Sequence, residues 1–196
     1  MNRFVLPALM CLMSGVCQSA APTDMYAITT TIKNRLTNNA YPLQKELIAE
    51  LRQQRKETDS TQLAACKKAQ KAAQHTCQSA KKNAQAECNE QKKKLFASCQ
   101  EEKAARRAQF KQVIQSLRDA KKQARASAPT LRALLAQTNA YVDHLHTQAQ
   151  SAQIPRLLRK AHTEQAWLNT LRSTLARSDI SLDAPLAEGR QSNKAK

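Results

Sequence analysis

The chain has 196 residues, a formal net charge of +17 at pH 7, and very few glycines and aromatic residues. Ala, Gln, Lys, Leu and Arg dominate, a composition typical of long helices and coiled coils that argues against a β-rich fold. No nucleophile elbow, zinc-protease motif, Cys-x-x-Cys pair or glycine-rich phosphate loop occurs. The sequence therefore favours a protein that is not an enzyme and holds no cofactor.

The first residues predict an export signal. Arg3 is followed by an apolar run from Phe4 to about Val16 and then by small residues, which is the layout of a secretory signal peptide. Residues 1–20 are predicted to be this signal, and the protein is expected in a bacterial periplasm or outside the cell. The run is shorter than the roughly 20 residues of a transmembrane helix, so the mature chain is predicted to have none. A lipid anchor on Cys17 and a retained apolar segment are the alternatives.

Four prolines are predicted to divide the rest of the chain into helical segments: Pro42, Pro129, Pro155 and Pro185. Apolar residues at helical spacing between residues 25 and 36 predict a first helix, with Asp24 as a candidate N-cap. Residues 130–153 and 156–177 predict two amphipathic helices of similar length. Residues 179–196 are polar and without pattern, which predicts a disordered tail after a single domain of residues 21–178.

The segment between the first two of these prolines contains no glycine and holds four cysteines at intervals of eleven: Cys66, Cys77, Cys88 and Cys99. Eleven residues make three helical turns plus about 20°, so the thiols lie near one stripe of a helix. Successive Cα atoms on that stripe are about 16.5 Å apart, whereas a disulfide needs less than about 7 Å. A second helix must supply each partner, and two disulfides are expected in an oxidising compartment.

A turn between residues 82 and 83 would bring these cysteines together as Cys77 with Cys88 and Cys66 with Cys99. Larger apolar residues mirror about the same midpoint, with Leu51 opposite Ile114, Ile48 opposite Leu117, and Leu47 beside Leu117. Between them the stripe is predicted to carry mainly alanine and cysteine, with two leucines as larger exceptions: Ala73, Ala80, Ala84, Leu63 and Leu95. Disulfides would then supply the stability that a small apolar area cannot.

These features predict an all-α fold. Its main element is a long antiparallel helical hairpin, similar to a coiled coil, and two further amphipathic helices pack at the base of the hairpin. The residues expected in contact at the base are Leu47, Leu51, Val113, Ile114 and Leu117 with Leu134, Leu145, Leu168, Leu171 and Trp167.

Other arrangements of the cysteines remain open at this point. An antiparallel homodimer would form the same pairs between two chains. An uninterrupted eleven-residue repeat would form a parallel dimer or trimer in which each cysteine meets its own copy. Free or metal-bound thiols are the last alternative.

Basic residues are concentrated in the same long segment. Between Arg52 and Arg125 there are 19 Lys or Arg against 7 Asp or Glu, a net charge of +12, and such a charge density attracts anions. The residues predicted to bind an anionic partner are Lys67, Lys68, Lys71, Lys81, Lys82, Lys92, Lys93, Lys94, Arg106 and Arg107. The expected partner is an acidic protein, an anionic envelope polymer or lipid headgroups. The export signal and the lack of interleaved aromatic residues argue against nucleic acid.

The sequence therefore predicts an exported, non-enzymatic scaffold or interaction protein whose basic coiled-coil arm binds an acidic component of the envelope. One alternative is a periplasmic holdase-type chaperone, because basic helical arms can also cradle unfolded clients. A second alternative is a thiol-based metal-binding protein.

Overall fold

The computed structural model describes residues 25–79 and 84–186. Its elements are α1 (Met25–Arg35), a π-helical segment (Leu36–Ala40), α2 (Tyr41–Ser79), α3 (Gln85–Arg125), α4 (Leu131–Ser151) and α5 (Pro155–Leu175). Within these ranges no strand occurs, and the prediction of an all-α fold is confirmed. Helices α4 and α5 begin and end within two residues of their predicted bounds. The predicted signal peptide, Asp24, Ala80, Lys81, Lys82 and residues 187–196 lie outside the described residues.

The chain remains helical through Pro42, where the sequence predicts a break. In a regular α-helix, a proline lacks the N–H for one hydrogen bond, and its ring clashes with the carbonyl four residues earlier. Here the segment Leu36–Ala40 is wound as a π-helix, and the Tyr41 N–H donates to the carbonyl of Leu36, five residues earlier. This wider turn accommodates the proline ring. The predicted break is therefore wrong.

The apolar core forms where α1, the first turns of α2 and the last turns of α3 meet α4 and α5. Its buried side chains are mostly leucine and isoleucine: Ile28, Ile32, Leu36, Leu43, Leu47, Leu117, Leu131, Leu134, Leu135, Val142, Leu145, Leu157, Leu168, Leu171 and Leu175. We call this part of the molecule the base. Leu51, Val113 and Trp167 pack against it partly buried, whereas Ile114 is buried outside this cluster. The predicted contacts omit α1, although Ile28 and Ile32 are fully buried there.

A nearly buried carboxylate links α5 to the first helix and the π-helical segment. Glu164 accepts hydrogen bonds from Arg35 Nε at 2.8 Å, Arg35 Nη2 at 3.2 Å and Asn39 Nδ2 at 3.0 Å. The same guanidinium lies over the ring of Trp167, 4.7 Å from its centroid. A buried charge is tolerated only when it is paired and hydrogen-bonded, so these contacts fix how α1 sits on α5.

A second buried polar group sets the position of α2 between α3 and α4. The Gln44 side chain donates to the carbonyl of Leu117 and accepts from the Tyr141 hydroxyl at 3.1 Å. Burial raises the pKa of the Tyr141 hydroxyl above its usual value, so it stays protonated and able to donate. The Gln44 amide, the Leu117 carbonyl and the Tyr141 hydroxyl are all hydrogen-bonded. This network therefore specifies one register of the three helices.

Residues 179–186 lie against the start of α4, whereas the sequence predicts them to be part of a disordered tail. The Arg132 N–H donates to the carbonyl of Leu182 at 2.9 Å. Its guanidinium donates to both carboxylate oxygens of Asp183, at 2.7 and 2.9 Å, and Ile180 packs partly buried against the core. Isolated apolar side chains with turn-like spacing produce no helical or strand periodicity, so the sequence pattern does not indicate these contacts.

Candidate interaction site on the cysteine-linked helices

Beyond the base, α2 and α3 lie side by side and are joined by their cysteines. Cys66 is paired with Cys99 and Cys77 with Cys88 at disulfide distance, with Cα atoms 6.4 and 5.5 Å apart. These are the pairs that a turn between residues 82 and 83 predicts, and both lie within one chain. Because the later residue of α2 pairs with the earlier residue of α3, the two helices run in opposite directions. We call residues 52–79 and 85–111 the arm.

One stripe of each helix faces the other helix along the arm. Its residues are buried or half-buried, and they recur with an eleven-residue period: Leu51, Arg55, Asp59, Gln62, Cys66, Gln70, Ala73 and Cys77 on α2, with Cys88, Lys92, Leu95, Cys99, Lys103, Arg106, Phe110 and Ile114 on α3. We call this stripe the seam. Every other described residue of the arm is exposed except Gln54. Burial along the arm therefore repeats with the same eleven-residue period as the cysteines.

The predicted composition of this stripe is wrong in two respects. Leu63 and Ala84 are exposed, and Gln62, Gln70, Lys92 and Lys103 share the middle of the seam with the predicted cysteines, Ala73 and Leu95. The error at Leu63 is geometric. When eleven residues make three turns, a residue four positions before Cys66 lies about 33° from it, whereas a residue three positions before lies about 65° away. Gln62, and not Leu63, therefore occupies the seam.

Charged contacts continue the same register from the cysteines towards the base. Asp59 lies opposite Arg106, 3.9 Å between Oδ1 and Nε, and also pairs with Arg55 at 3.4 Å. The Arg55 guanidinium lies 4.8 Å from the ring centroid of Phe110. Each of these cross-helix pairs mirrors about the midpoint of the two disulfides. Since partly exposed ion pairs contribute little free energy, these contacts specify the register more than they stabilise it.

The seam leaves some polar groups without compensation. Gln62 Oε1 is buried and has no hydrogen-bond partner among the described residues, whereas Arg106 Nε, also buried, has the 3.9 Å ion pair with Asp59 but no hydrogen bond there. An uncompensated buried polar group costs roughly 1–3 kcal/mol. Apart from its cysteines, the seam is therefore a weak source of stability.

The residues predicted to bind an anionic partner separate into three groups. Lys67, Lys71, Lys93 and Arg107 are exposed, and each directly follows a seam residue. Lys68 and Lys94 are exposed elsewhere on their helices, where Lys94 pairs with Glu90 at 3.2 Å. Lys92 and Arg106 lie in the seam itself, half-buried, and Arg106 also lies 3.7 Å from Glu102. Lys81 and Lys82 are outside the described residues.

Residues that directly follow a seam residue share one side of the arm. Each lies about 98° further around its helix than the seam residue before it. Because the two helices run in opposite directions, a twofold axis perpendicular to the arm relates them. This axis brings the residues that follow the seam in both helices to the same side of the arm. The charged members of this set are Arg52, Lys56, Lys67, Lys71, Lys93, Arg107 and Lys111, and the set contains no Asp or Glu. We call this side the basic face. None of the seven forms a salt bridge with another described residue.

Arg52, Lys56 and Lys111 belong to the basic face but are not among the residues predicted from the sequence, because they lie outside the local clusters of basic residues. The signal that identifies them is position relative to the eleven-residue repeat, and reading it requires knowing which residues form the seam.

Other chemistry within the described residues is sparse. No group of three or more His, Cys, Asp or Glu side chains there is arranged to hold a metal ion. His144 lies 3.2 Å from the Ser116 hydroxyl, and burial lowers the pKa of its imidazole. Over the same two ranges, no helix combines the length and the apolar character that crossing a bilayer requires.

Comparison with known proteins gives no relative from which a role could be transferred. No protein-family model, curated protein or solved structure matches the chain. The proposal for its function therefore rests on the charges and contacts of the arm.

Proposed function

We propose that this is an exported, non-enzymatic scaffold or interaction protein whose basic arm binds an acidic component of the cell envelope. The observation that carries the proposal is the basic face, on which seven exposed cations stand without an intervening acid. Such a one-sided array attracts anions more strongly than interspersed charges do. The base anchors this array, because the same two helices continue into an apolar core.

The proposal treats the arm as an antiparallel helical hairpin, with α4 and α5 packed at its base. Two intrachain cysteine pairs and the cross-helix contacts of Asp59 and Arg55 support this arrangement. An eleven-residue seam gives about 3.67 residues per turn, which favours two nearly straight helices. A peptide map made without reductant tests the hairpin. We expect linked peptides containing Cys66 with Cys99 and Cys77 with Cys88 at monomer mass, whereas linkage of a cysteine to its own copy would contradict it.

Export is part of the same proposal. Its supports are the signal-like residues 1–20 and the two cysteine pairs, since disulfides persist in oxidising compartments. Fractionation of a cell that expresses the chain tests this step. The processed protein, shortened by about the length of a signal peptide, is expected outside the cytoplasm, and a full-length cytoplasmic product would contradict export.

Binding of a soluble polyanion tests the role of the arm. We expect retention on immobilised polyglutamate that weakens steeply as salt rises, because exposed charges are screened. Equal retention on immobilised polylysine would contradict recognition of an acidic partner. A holdase would instead suppress the aggregation of unrelated unfolded proteins at stoichiometric amounts, and that result with no polyanion binding would favour the chaperone hypothesis.

A further inference from the structure

The arm exposes two large apolar side chains. Leu63 is 49% exposed and Phe96 is 53% exposed, and with Tyr26 they are the exposed large apolar residues within the described ranges. Their exposure is notable because the rest of the arm surface is charged, amide or small. Neither side chain contributes to the core of the base.

Both side chains lie on the basic face. Leu63 directly follows Gln62 of the seam, and Phe96 directly follows Leu95. In the register that the disulfides set, Phe96 lies opposite residue 69, six residues beyond Leu63, so the two are about 9 Å apart along the arm. They therefore lie on the same side of the arm, one on each side of the groove between the helices, and we call this pair the apolar patch.

Cations surround this patch on the same side. Arg107 lies towards the base, and Lys67, Lys71 and Lys93 lie beside the patch and towards the tip. From Arg52 to Lys93, which lies opposite residue 72, the basic face extends about 30 Å along the helix axis. An array of this length is larger than a small anion can fill, so it fits an extended anionic surface.

The opposite flank of the arm has a different composition. Residues that directly precede a seam residue are mainly Ala, Thr, Ser and Gln, and their charged members are Glu50, Glu87, Lys94 and Glu102. The net charge of this flank is negative, whereas the basic face has no acid. The asymmetry shows that the positive charge of the arm is directed to one side.

The kind of cation distinguishes a membrane surface from a protein partner. Five of the seven are lysines, which are depleted in protein–protein interfaces, where arginine and aromatic residues are enriched. A lysine is a compact charge on a flexible stem, without the fixed fork of arginine. Clusters of four to eight basic residues on a helical surface bind anionic lipid headgroups, and neighbouring Leu and Phe side chains enter the headgroup region.

We propose that the basic face docks on a membrane surface rich in anionic phospholipid, with Leu63 and Phe96 inserted between the headgroups. This inference rests on the proposed function, since the same cations serve both, and it names the acidic component as lipid. Docking lays the arm flat on the bilayer and leaves the flank that contains Glu87 and Glu102 facing the solvent.

Co-sedimentation of the purified protein with vesicles tests the proposal. We expect binding to vesicles of phosphatidylglycerol with phosphatidylethanolamine, and none to vesicles of phosphatidylcholine alone. Substituting Lys67→Glu with Lys93→Glu on the basic face should weaken binding about tenfold or more. The matched control is Lys68→Glu with Lys94→Glu, which makes the same change of net charge one residue further along each helix, away from that face. Its affinity should stay within about threefold of the parent, because the charges facing the membrane are unchanged.

The apolar patch needs its own test. Leu63→Gln with Phe96→Gln leaves the charge intact, and we expect it to weaken vesicle binding about fivefold or more while binding to polyglutamate is unchanged. Circular dichroism and an unchanged non-reducing peptide map establish that each variant is folded.

The possible outcomes separate this inference from the proposed function. Binding to polyglutamate without binding to anionic vesicles overturns lipid docking and leaves the acidic-partner proposal standing. Equal losses in the two lysine pairs overturn the basic face as the docking surface, because net charge alone would then govern affinity. Failure to bind either polyanion or vesicles contradicts both proposals.

Discussion

Along α2 and α3, the residues that face the opposite helix change in character between the base and the arm. In the base, Leu47 and Leu117 are fully buried and continue into a core shared with the other helices. In the arm, the equivalent positions hold side chains such as Gln62 and Lys103, which are only half-buried. The hydrophobic effect stabilises the first region, whereas covalent links must replace it in the second.

The composition of the seam also determines what can hold the arm together against the repulsion between its positive charges. A buried seam of leucines would tolerate a basic exterior because apolar burial offsets the repulsion between like charges. The arm lacks this offset, since seven exposed cations flank a polar seam. Two disulfides therefore have to oppose both the conformational entropy and the charge repulsion of the arm.

Removal of both disulfides should have the largest effect and should be confined to the arm. The loops span 33 and 11 residues, for which the chain-entropy model gives about 4 and about 3 kcal/mol. We expect reduction to abolish amide hydrogen-exchange protection in the arm while the base stays protected. Trp167, the single tryptophan of the chain, packs against the base core, so its fluorescence should stay native.

Serine pairs refine this prediction. Replacing only Cys77 and Cys88 by Ser should free the tip and leave protection on the base side of the Cys66–Cys99 link. Replacing only Cys66 and Cys99 should free a longer part of the arm. If reduction unfolded the base together with the arm, the proposed difference between the two regions would be wrong.

Truncation of a base leucine should cost the next largest amount. Leu145 is fully buried, and Leu145→Ala is expected to lower the free energy of unfolding by about 2–5 kcal/mol through lost burial and a residual cavity. Leu63→Ala, in the arm, removes the same atoms from a half-exposed site and should change it by less than about 0.5 kcal/mol. Urea unfolding followed by Trp167 fluorescence measures the change for Leu145→Ala in the base, and amide hydrogen exchange in the arm measures the change for Leu63→Ala. Comparable losses in the two variants would mean that Leu63 is packed.

The sequence predicts the base better than the arm for a physical reason. Large apolar residues at helical spacing, such as Leu134 and Leu145 in α4, leave one face that can be buried, so the all-α class and the lengths of α4 and α5 follow from the pattern. The equal spacing of the cysteines and the reach of a disulfide likewise predict that each cysteine needs a partner on a second helix, and a turn between residues 82 and 83 predicts the pairs that lie at disulfide distance. Both inferences depend on strong local constraints.

The remaining features depend on tertiary contacts that a pattern does not encode. Pro42 continues a helix because a π-helical segment precedes it, and no residue type in Leu36–Ala40 announces that geometry. Gln62 rather than Leu63 enters the seam because its phase relative to Cys66 outweighs its polarity. The basic face is defined relative to the seam, so the sequence pattern alone does not predict that Lys56 and Lys111 belong to it.

An apolar seam should make the arm less dependent on its disulfides. Gln62 and Lys103 occupy mirrored positions, and Gln62 Oε1 is buried without a hydrogen-bond partner among the described residues. Gln62→Leu with Lys103→Leu is expected to add about 1–3 kcal/mol to the stability of the arm by burying apolar area and removing that polar group. Hydrogen exchange in reductant should then show partial protection in the arm where the parent protein shows none.

The control for this change adds the same side chains outside the seam. Ala64 and Ala97 are exposed on the outer sides of their helices, and Ala64→Leu with Ala97→Leu should leave the reduced arm unprotected. Equal protection in both variants would show that leucine stabilises the isolated helices rather than their association.

The smallest expected effect is a pH dependence at the junction between α3 and α4. Burial lowers the pKa of the His144 imidazole, which lies 3.2 Å from the Ser116 hydroxyl, so the unfolded chain binds a proton there more readily than the folded chain. Stability should therefore decline as the pH falls below about 6.5, the ordinary value for histidine. The decline should be smaller than any change above, because His144 is only partly buried. His144→Gln should flatten the dependence of the urea-unfolding free energy on pH in this range. An unchanged slope in His144→Gln would assign the pH dependence to other groups.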